Sequence, residues 1–446
     1  MLPAVCQILQ EIGAWEKVEA QGFPIKIGAT YRWGQKKDLW DFNFIPGAKF
    51  DDAPRPAKYE GIRTHTAFQV DRSIFDEVLL DHSASKGCEV REQTKVLEVL
   101  REGDRVLGLK LESGEIIEAK HYVDASGVSG TLRRTMEIPV DYPTNLRNIA
   151  IWYYWQNTDW AVNIGVGGTR IFVTSLGWGW IWFIPIGATR TSIGLVLPLE
   201  YYKKSGKKPD ELYREAIESE PLISSLMTNA TNEGNIFTTN DWSYIADRLS
   251  GENWWLIGDS CGFADPILSA GMTLAGAGAK QVAYSILAIE ANERDPKWLR
   301  EFYTDIHRKR IGQHVMFADF WYKSNGQFTD LIDYTSEIAK EAGLNLSPDD
   351  AFRWLGTGGF SHEDPSLPII GGCAVEAVQQ INQQLTGQAA TWNVASHNVF
   401  KMNLEGAEES AMPLMFEGKI WEKVCYRRDG KILPKYGIYD IVMKLL

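Results

Sequence analysis

Basic residues are in short supply. Against 58 Asp and Glu, the 446-residue chain sets only 46 Lys and Arg, a formal charge of −12. That balance excludes a general attraction to nucleic acid or anionic lipid, which draws on clustered Lys and Arg. A long uninterrupted apolar helix is also missing. The run from Ile171 to Ala188 carries no charge, but Gly, Pro and five aromatic side chains divide it as they divide sheet strands, so no membrane span is expected. No basic segment precedes the short apolar stretch of the opening, MLPAVCQILQEIGAWEK, which argues against a signal peptide. Cysteine is sparse and scattered: Cys6, Cys88, Cys261, Cys373 and Cys425 form no C-x-x-C pair, so neither a disulfide framework nor a metal site is expected. Low-complexity tracts and internal repeats are absent too. These absences together point to a cytoplasmic, globular protein.

Tryptophan is abundant instead, with 17 residues. Many fall between Trp152 and Trp182, in a pattern that suits either an aromatic-walled cavity or a rigid core. Apolar spacing predicts a helix over 2–17, a strand over 23–33 and a helix over 70–85 with Ile74, Phe75, Val78 and Leu79 on one face and Gly87 as its stop. Three alternating segments, 96–100, 105–112 and 116–127, read as a small meander with turns at Gly103-Asp104 and Ser113-Gly114. Aromatic-rich strands then fill 140–250 around one helix near 210–218. A helix over 271–292 is rich in Ala and Gly, and 320 onward is mixed helix and loop. His307 and His314 lie seven apart on an expected helix beside IHRKR, a candidate basic patch; both histidines read as ordinary surface or core residues, and no metal is assigned.

The chemistry concentrates in four stretches. GFADPILSAGM, 262–272, follows the apolar run WWLIGDSC, so a buried strand, a turn of small residues and a helix N-terminus come in succession, the arrangement that offers backbone amides to an anion. WIWFIP, 180–185, puts two indoles one strand period apart. GFPIKIGATYRWG, 22–34, holds Lys26 in an otherwise apolar strand, where burial disfavours the ammonium form and frees the amine to act as nucleophile or hydrogen-bond donor. VDASG at 123–127 and IGD at 257–259 are strand ends carrying an aspartate each.

On these residues the chain resembles the flavin-dependent halogenases of the phenol and pyrrole type, within the wider FAD monooxygenase group. The likeness runs from Met1 to about Arg310. It implies an α/β fold: a Rossmann-like FAD-binding domain from 1–140 and 250–320, an inserted β-sheet substrate domain over 141–249, and a mainly helical C-terminal region over 321–446. It implies that Arg72, Val96, Asp124, Gly258, Asp259, Pro266, Gly271 and Met272 bind FAD and that Ser269, Ala270 and Gly271 form a halide site. Trp180, Trp182 and Pro185 would wall off organic substrate, and Lys26 would be the catalytic lysine. Phe263, Pro266, Ser269 and Gly271 fit F-x-x-P-x-x-S-x-G, and Leu268 stands where tryptophan halogenases carry a glutamate, which disfavours that subclass.

The resemblance further implies FAD used as FADH2, chloride or bromide, O2, a separate NAD(P)H-dependent flavin reductase, and a small aromatic substrate, free or tethered to a carrier protein, in secondary metabolism such as antibiotic biosynthesis. A related FAD monooxygenase or reductase, or an inactive ligand-binding relative, is the alternative. Such enzymes open with a G-x-G-x-x-G turn, absent from the first thirty residues here. The expectation is therefore that about one strand-turn-helix unit lies upstream, and that the chain as written binds FAD weakly or not at all.

Overall fold

The computed structural model describes residues 1–33, 39–43, 66–159, 168–240 and 243–324, with six short strands between 369 and 434. The opening helix is two helices, α1 (Pro3–Glu11) and α2 (Trp15–Glu19), broken where Gly13 takes φ 74°, a left-handed conformation that suits glycine. Strand β1 (Ile25–Arg32) follows, then β2 (Trp40–Asn43), β3 (Ala67–Phe68) and α3 (Arg72–Ser85). On α3, Phe75 is buried while Ile74 is 41% exposed, so the expected four-residue face loses Ile74. The helix is capped by Asp71, whose carboxylate accepts from Ser73 N at 3.1 Å, the usual remedy for an orphan first-turn amide. Gly87, just past its end, has φ 95°, as a C-terminal stop requires.

The meander is β4 (Val96–Glu102), β5 (Arg105–Leu111) and β6 (Ile116–Ile117), all antiparallel. The expected third segment divides here. Beyond a break at 118–121, β7 (Tyr122–Asp124) leaves the meander and pairs in parallel with β16 (Trp254–Leu256). The short helix α4 (Thr131–Thr135) and strand β8 (Val140–Asp141) come next, and β8 joins β15 (Tyr244–Ala246) and β17 (Gly262–Phe263) in a small sheet. A core of Val99, Val106, Tyr122, Leu132, Trp254, Leu256 and Leu274 unites these pieces.

Among the described residues the large sheet has nine strands. Its order is β13 (Thr231–Asn232), β9 (Asn148–Gln156), β12 (Arg190–Pro198), β11 (Trp180–Pro185), β10 (Gly168–Ser175), β1 and β2, with β14 (Phe237–Asn240) also on β9 and β3 on β1. The expected boundary near residue 140 therefore does not follow the sheet. β1 belongs to it because seven of its eight residues are buried, which fits a strand flanked on both edges: β10 runs parallel on one side, β2 and β3 antiparallel on the other. Side-chain alternation gives the sheet two apolar faces. Ile151, Tyr153, Ile181, Phe183, Ile193 and Leu195 pack on α6 (Pro209–Glu218) and α7 (Pro221–Leu226), which follow α5 (Leu199–Ser205). Trp152, Trp180, Trp182 and Val196 face the opposite way, toward α1 and α3.

Helices α8 (Gly271–Glu290) and α9 (Pro296–Ser324) complete the described body. In 321–446, expected to be mainly helical, the described residues past Ser324 are antiparallel strand pairs, 369–370 with 373–374, 414–416 with 419–421 and 424–426 with 432–434. The rest of that region lies outside the described residues. No described helix is long and apolar enough to cross a membrane.

Candidate functional site

Lys26 is 2% exposed. Its position follows from an irregularity in β1: Lys26 pairs with Thr169 and Gly28 with Arg170, so Ile27 is an extra residue against β10. A bulge of this kind redirects neighbouring side chains. The Lys26 ammonium donates to Ser269 Oγ at 3.3 Å, joining residues 243 positions apart. Ser269 follows a 3-10 turn, Pro266–Leu268, and has φ 57°, a conformation uncommon outside glycine.

Beyond Ser269, α8 begins. Its N-cap, Ala270, supplies no side-chain hydrogen bond, so the first-turn amides are left for other partners. Thr273, in that same turn, is buried with no partner for Oγ1. Gly271 is pressed by Phe263: a Cβ would lie 2.9 Å from Phe263 Cε2. Met272 packs against the core shared by Trp180 and Ile267. The helix start is thus tightly walled yet polar within.

The two aspartates differ in role. Asp124 is buried, and its carboxylate accepts Ser126 N at 2.8 Å and Leu132 N at 2.7 Å, so it holds the β7-to-α4 turn. Its backbone oxygen accepts from Ile257 N and Ser260 Oγ, which seats the 257–260 turn beside it. Asp259 keeps its carboxylate in a different setting: burial pushes it above the ordinary range, and Arg72 opposes that shift. Arg72 itself holds Asp76 one helical turn on, at 2.8 Å. Gly258 has φ 59°, with Ala275 of α8 beside it. Val96 sits apart, on β4 opposite Leu111.

Trp180 and Trp182 share a face, with ring centroids 5.9 Å apart. The row extends in both directions, to Trp33 at 6.3 Å from Trp180 and to Trp152 at 6.2 Å from Trp182, with Phe237 stacked on Trp152 at 5.5 Å. Gly194 makes the row possible: it pairs with Trp182 on one side and Trp152 on the other, and a methyl there would collide with the Trp182 ring. Trp182 Nε1 donates to Ser192 Oγ, and Trp180 Nε1 to Tyr322 Oη at 2.7 Å. Pro185 ends β11 opposite Thr191.

Asp265, Tyr322, Trp33 and Gly194 join the constellation from four separate segments. Asp265 and Trp33 fall inside the stretches 262–272 and 22–34 without being singled out there, Asp265 with the further signal of an Asp before Pro ahead of a turn; Tyr322 and Gly194 lie outside all four stretches. The IHRKR patch does not form: Arg310 is buried and donates to Gln281 Oε1 at 2.9 Å, while Arg308 pairs with Asp141 and Asp247. His307 and His314 are core residues.

Residues 47–331, more than half of the chain, match the family model described as Tryptophan halogenase. The chain is 31% identical over 76% of its length to the tryptophan 2-halogenase of Chondromyces crocatus, and spans 63% of that relative. It is 29% identical, over 74% of its length and 76% of the relative, to the 1H-pyrrole-2-carbonyl-[peptidyl-carrier protein] chlorinase of Pseudomonas fluorescens. Among solved structures, the myxobacterial chondrochloren halogenase CndH superposes with a TM-score of 0.65 at 26% identity, covering 87% of each chain. The flavin-dependent halogenase CmlS shares the fold, with a TM-score of 0.67 at 23% identity over 98% of this chain and 79% of that one. By the family match and the relatives at this level of identity, the chain belongs to the flavin-dependent halogenase family.

Proposed function

We propose that the protein halogenates an electron-rich ring of the phenol or pyrrole type, with Lys26 holding the hypohalous acid that reacts. The observation that carries this is the contact between Lys26 and Ser269: a buried amine placed at the loop that opens α8, within the reach of an uncapped helix N-terminus. The residues there suit a flavin ring and a halide. Thr273 Oγ1 is buried without a partner, Gly271 offers backbone without a side chain, and Arg72 and Asp259 lie within electrostatic reach of each other. No glycine-rich strand-turn-helix unit for a diphosphate is found among the described residues.

Bound FADH2 would supply, with O2, the two-electron oxidation of halide to hypohalous acid. The overall balance is FADH2, O2, halide, a proton and ArH giving FAD, ArX and two waters. The chain's own residues do the rest. The first-turn amides at Ala270 and Gly271 attract halide through the helix dipole. Trp180 and Trp182 keep the organic ring from the flavin side, so the halide is oxidised first. Lys26 receives the hypohalous acid as a hydrogen-bond donor or nucleophile and presents its halogen to the ring, with Ser269 keeping the amine in place. The ring proton leaves to solvent.

The substrate class rests on Leu268 in place of a glutamate and on the similarity to a pyrrole chlorinase. With a net charge of −12 and the IHRKR arginines occupied by acidic and amide partners, a free small molecule fits better than one on an acidic carrier protein. A separate reductase would provide the FADH2. The test is a comparison of phenol, free pyrrole, carrier-tethered pyrrole and tryptophan with saturating FADH2, bromide and O2. Phenol or free pyrrole as preferred substrate is the expected result; preference for tryptophan would overturn the substrate class. Lys26→Ala is expected to lower product at least about a hundredfold while flavin reoxidation persists, since it removes a group acting only on the reacting halogen.

A further inference from the structure

Building on the function proposed above, we propose that Asp265 is a positioning residue for Lys26: held by Tyr322 and Asn148, its carboxylate fixes the turn that presents Ser269 to the lysine, and through Tyr322 it also anchors Trp180. Asp265 is 1% exposed. A carboxylate so buried is tolerated only when donors surround it. They come from three places in the fold: Ile267 N at 2.9 Å from its own turn, Tyr322 Oη at 3.0 and 3.2 Å from α9, and Asn148 Nδ2 at 3.3 Å from the start of β9.

The bond to Ile267 caps the 3-10 turn in which Pro266 already restricts φ. The residue that leaves this turn is Ser269, in its left-handed conformation. Such a conformation persists only where the surroundings over-determine it, and Asp265 provides that constraint. Ser269 Oγ then meets Lys26 Nζ. On the other side, Tyr322 Oη accepts from Trp180 Nε1, and Trp33, whose own Nε1 is tied to Trp321 O at 2.7 Å, packs against both rings. The aromatic wall and the lysine thus hang from one carboxylate. Burial and the neighbouring Asp265 charge hold the Tyr322 phenol protonated, so it stays a donor throughout ordinary pH.

The experiment uses the full chain and reads Lys26 directly. Lysines are labelled competitively with an acylating reagent across pH, and the Lys26 peptide is quantified by mass spectrometry, with exposed Lys95 as internal reference. In Asp265→Asn and in Tyr322→Phe, Lys26 labelling is expected to rise about fivefold relative to Lys95, the factor that one lost hydrogen bond carries. Its labelling-against-pH profile is expected to shift. The exchange variant Asn148→Asp with Asp265→Asn restores an amide–carboxylate pair and should recover most of the wild-type profile. In halogenation, product formed per flavin oxidised should fall at least about tenfold in the single variants, with KM for the ring unchanged.

Unaltered Lys26 labelling in both folded single variants would overturn the proposal. So would failure of the exchange variant to recover any of the shift. Should Asp265→Asn not fold, Tyr322→Phe carries the same test, because it removes only a hydroxyl. Labelling changes in the variants, with no ring halogenated by wild type, refute the proposed function and support the positioning role.

Discussion

A buried lysine is a liability to the fold, and Lys26 is placed where its removal should separate function from stability. The buried ammonium sits on a strand beside the apolar Ile25, Ile27 and Ala29, and donates to Ser269 Oγ. Lys26→Met keeps the volume and removes the charge, so the urea midpoint is expected to stay level or rise, by on the order of 1 kcal/mol, while halogenation is lost. A lower midpoint would show that the amine contributes to folding. Gly194 presents the converse case. Gly194→Ala forces the Trp182 indole off the sheet, and the overpacking should cost about 1–3 kcal/mol in denaturant unfolding; an unchanged midpoint would mean the row of rings can shift freely. Lys26 was legible in the sequence because a charge between two isoleucines, Ile25 and Ile27, stands out. Gly194 was not, since its reason is the pair of rings across the ladder on either side.

The seam between α8 and α9 is expected to govern how the protein responds to acid. His307 is buried against Tyr303, with ring centroids 5.4 Å apart, and has no partner at either ring nitrogen. Burial brings both His307 and His314 down to about 3. Unfolded, each would titrate near about 6.5, so the unfolded chain takes up protons first as pH falls. The stability present above that value is therefore lost progressively between pH 6.5 and 3, by up to about 1.4 kcal/mol per pH unit for each histidine. Urea midpoints measured across this window should fall, and His307→Phe, which keeps the ring stack, should remove about half of the slope. A slope unchanged by the substitution would place the acid sensitivity elsewhere. At this scale the sequence was informative about elements with clear periods: α3, α6 and α8 lie within two residues of expectation. It was silent on irregularities. The Ile27 bulge depends on pairing with β10, some 140 residues away, and the left-handed Ser269 depends on Asp265 being held by α9 and β9. Neither leaves a local pattern. The break between β6 and β7 is similar, for Tyr122 N bonds Asn253 O across the fold.

Across the whole molecule, the candidate site draws on two bodies of structure. The large sheet contributes Lys26 and the tryptophan row, and the body around β7, β16 and α8 contributes Asp259, Ser269 and Gly271. Asp124 ties the second body together, and Asp124→Ala, which strips the acceptor from the buried Leu132 amide and the half-buried Ser126 amide, is expected to cost about 1–3 kcal/mol; calorimetry reads this directly, and a negligible change would remove Asp124 from the structural account. The motifs mark residues of both bodies in the sequence, whereas β1, which reads as part of the N-terminal segment, pairs into the large sheet. Only long-range pairing decides that. The most direct measurement of the central claim is product analysis by mass spectrometry after the chain is given a phenol or pyrrole, bromide, O2 and FADH2 at a concentration that saturates even a weak site. A brominated ring that forms with wild type, disappears with Lys26→Ala and does so while flavin reoxidation continues is the predicted result. Bromination at an equal rate by Lys26→Ala, or none by wild type, would contradict it.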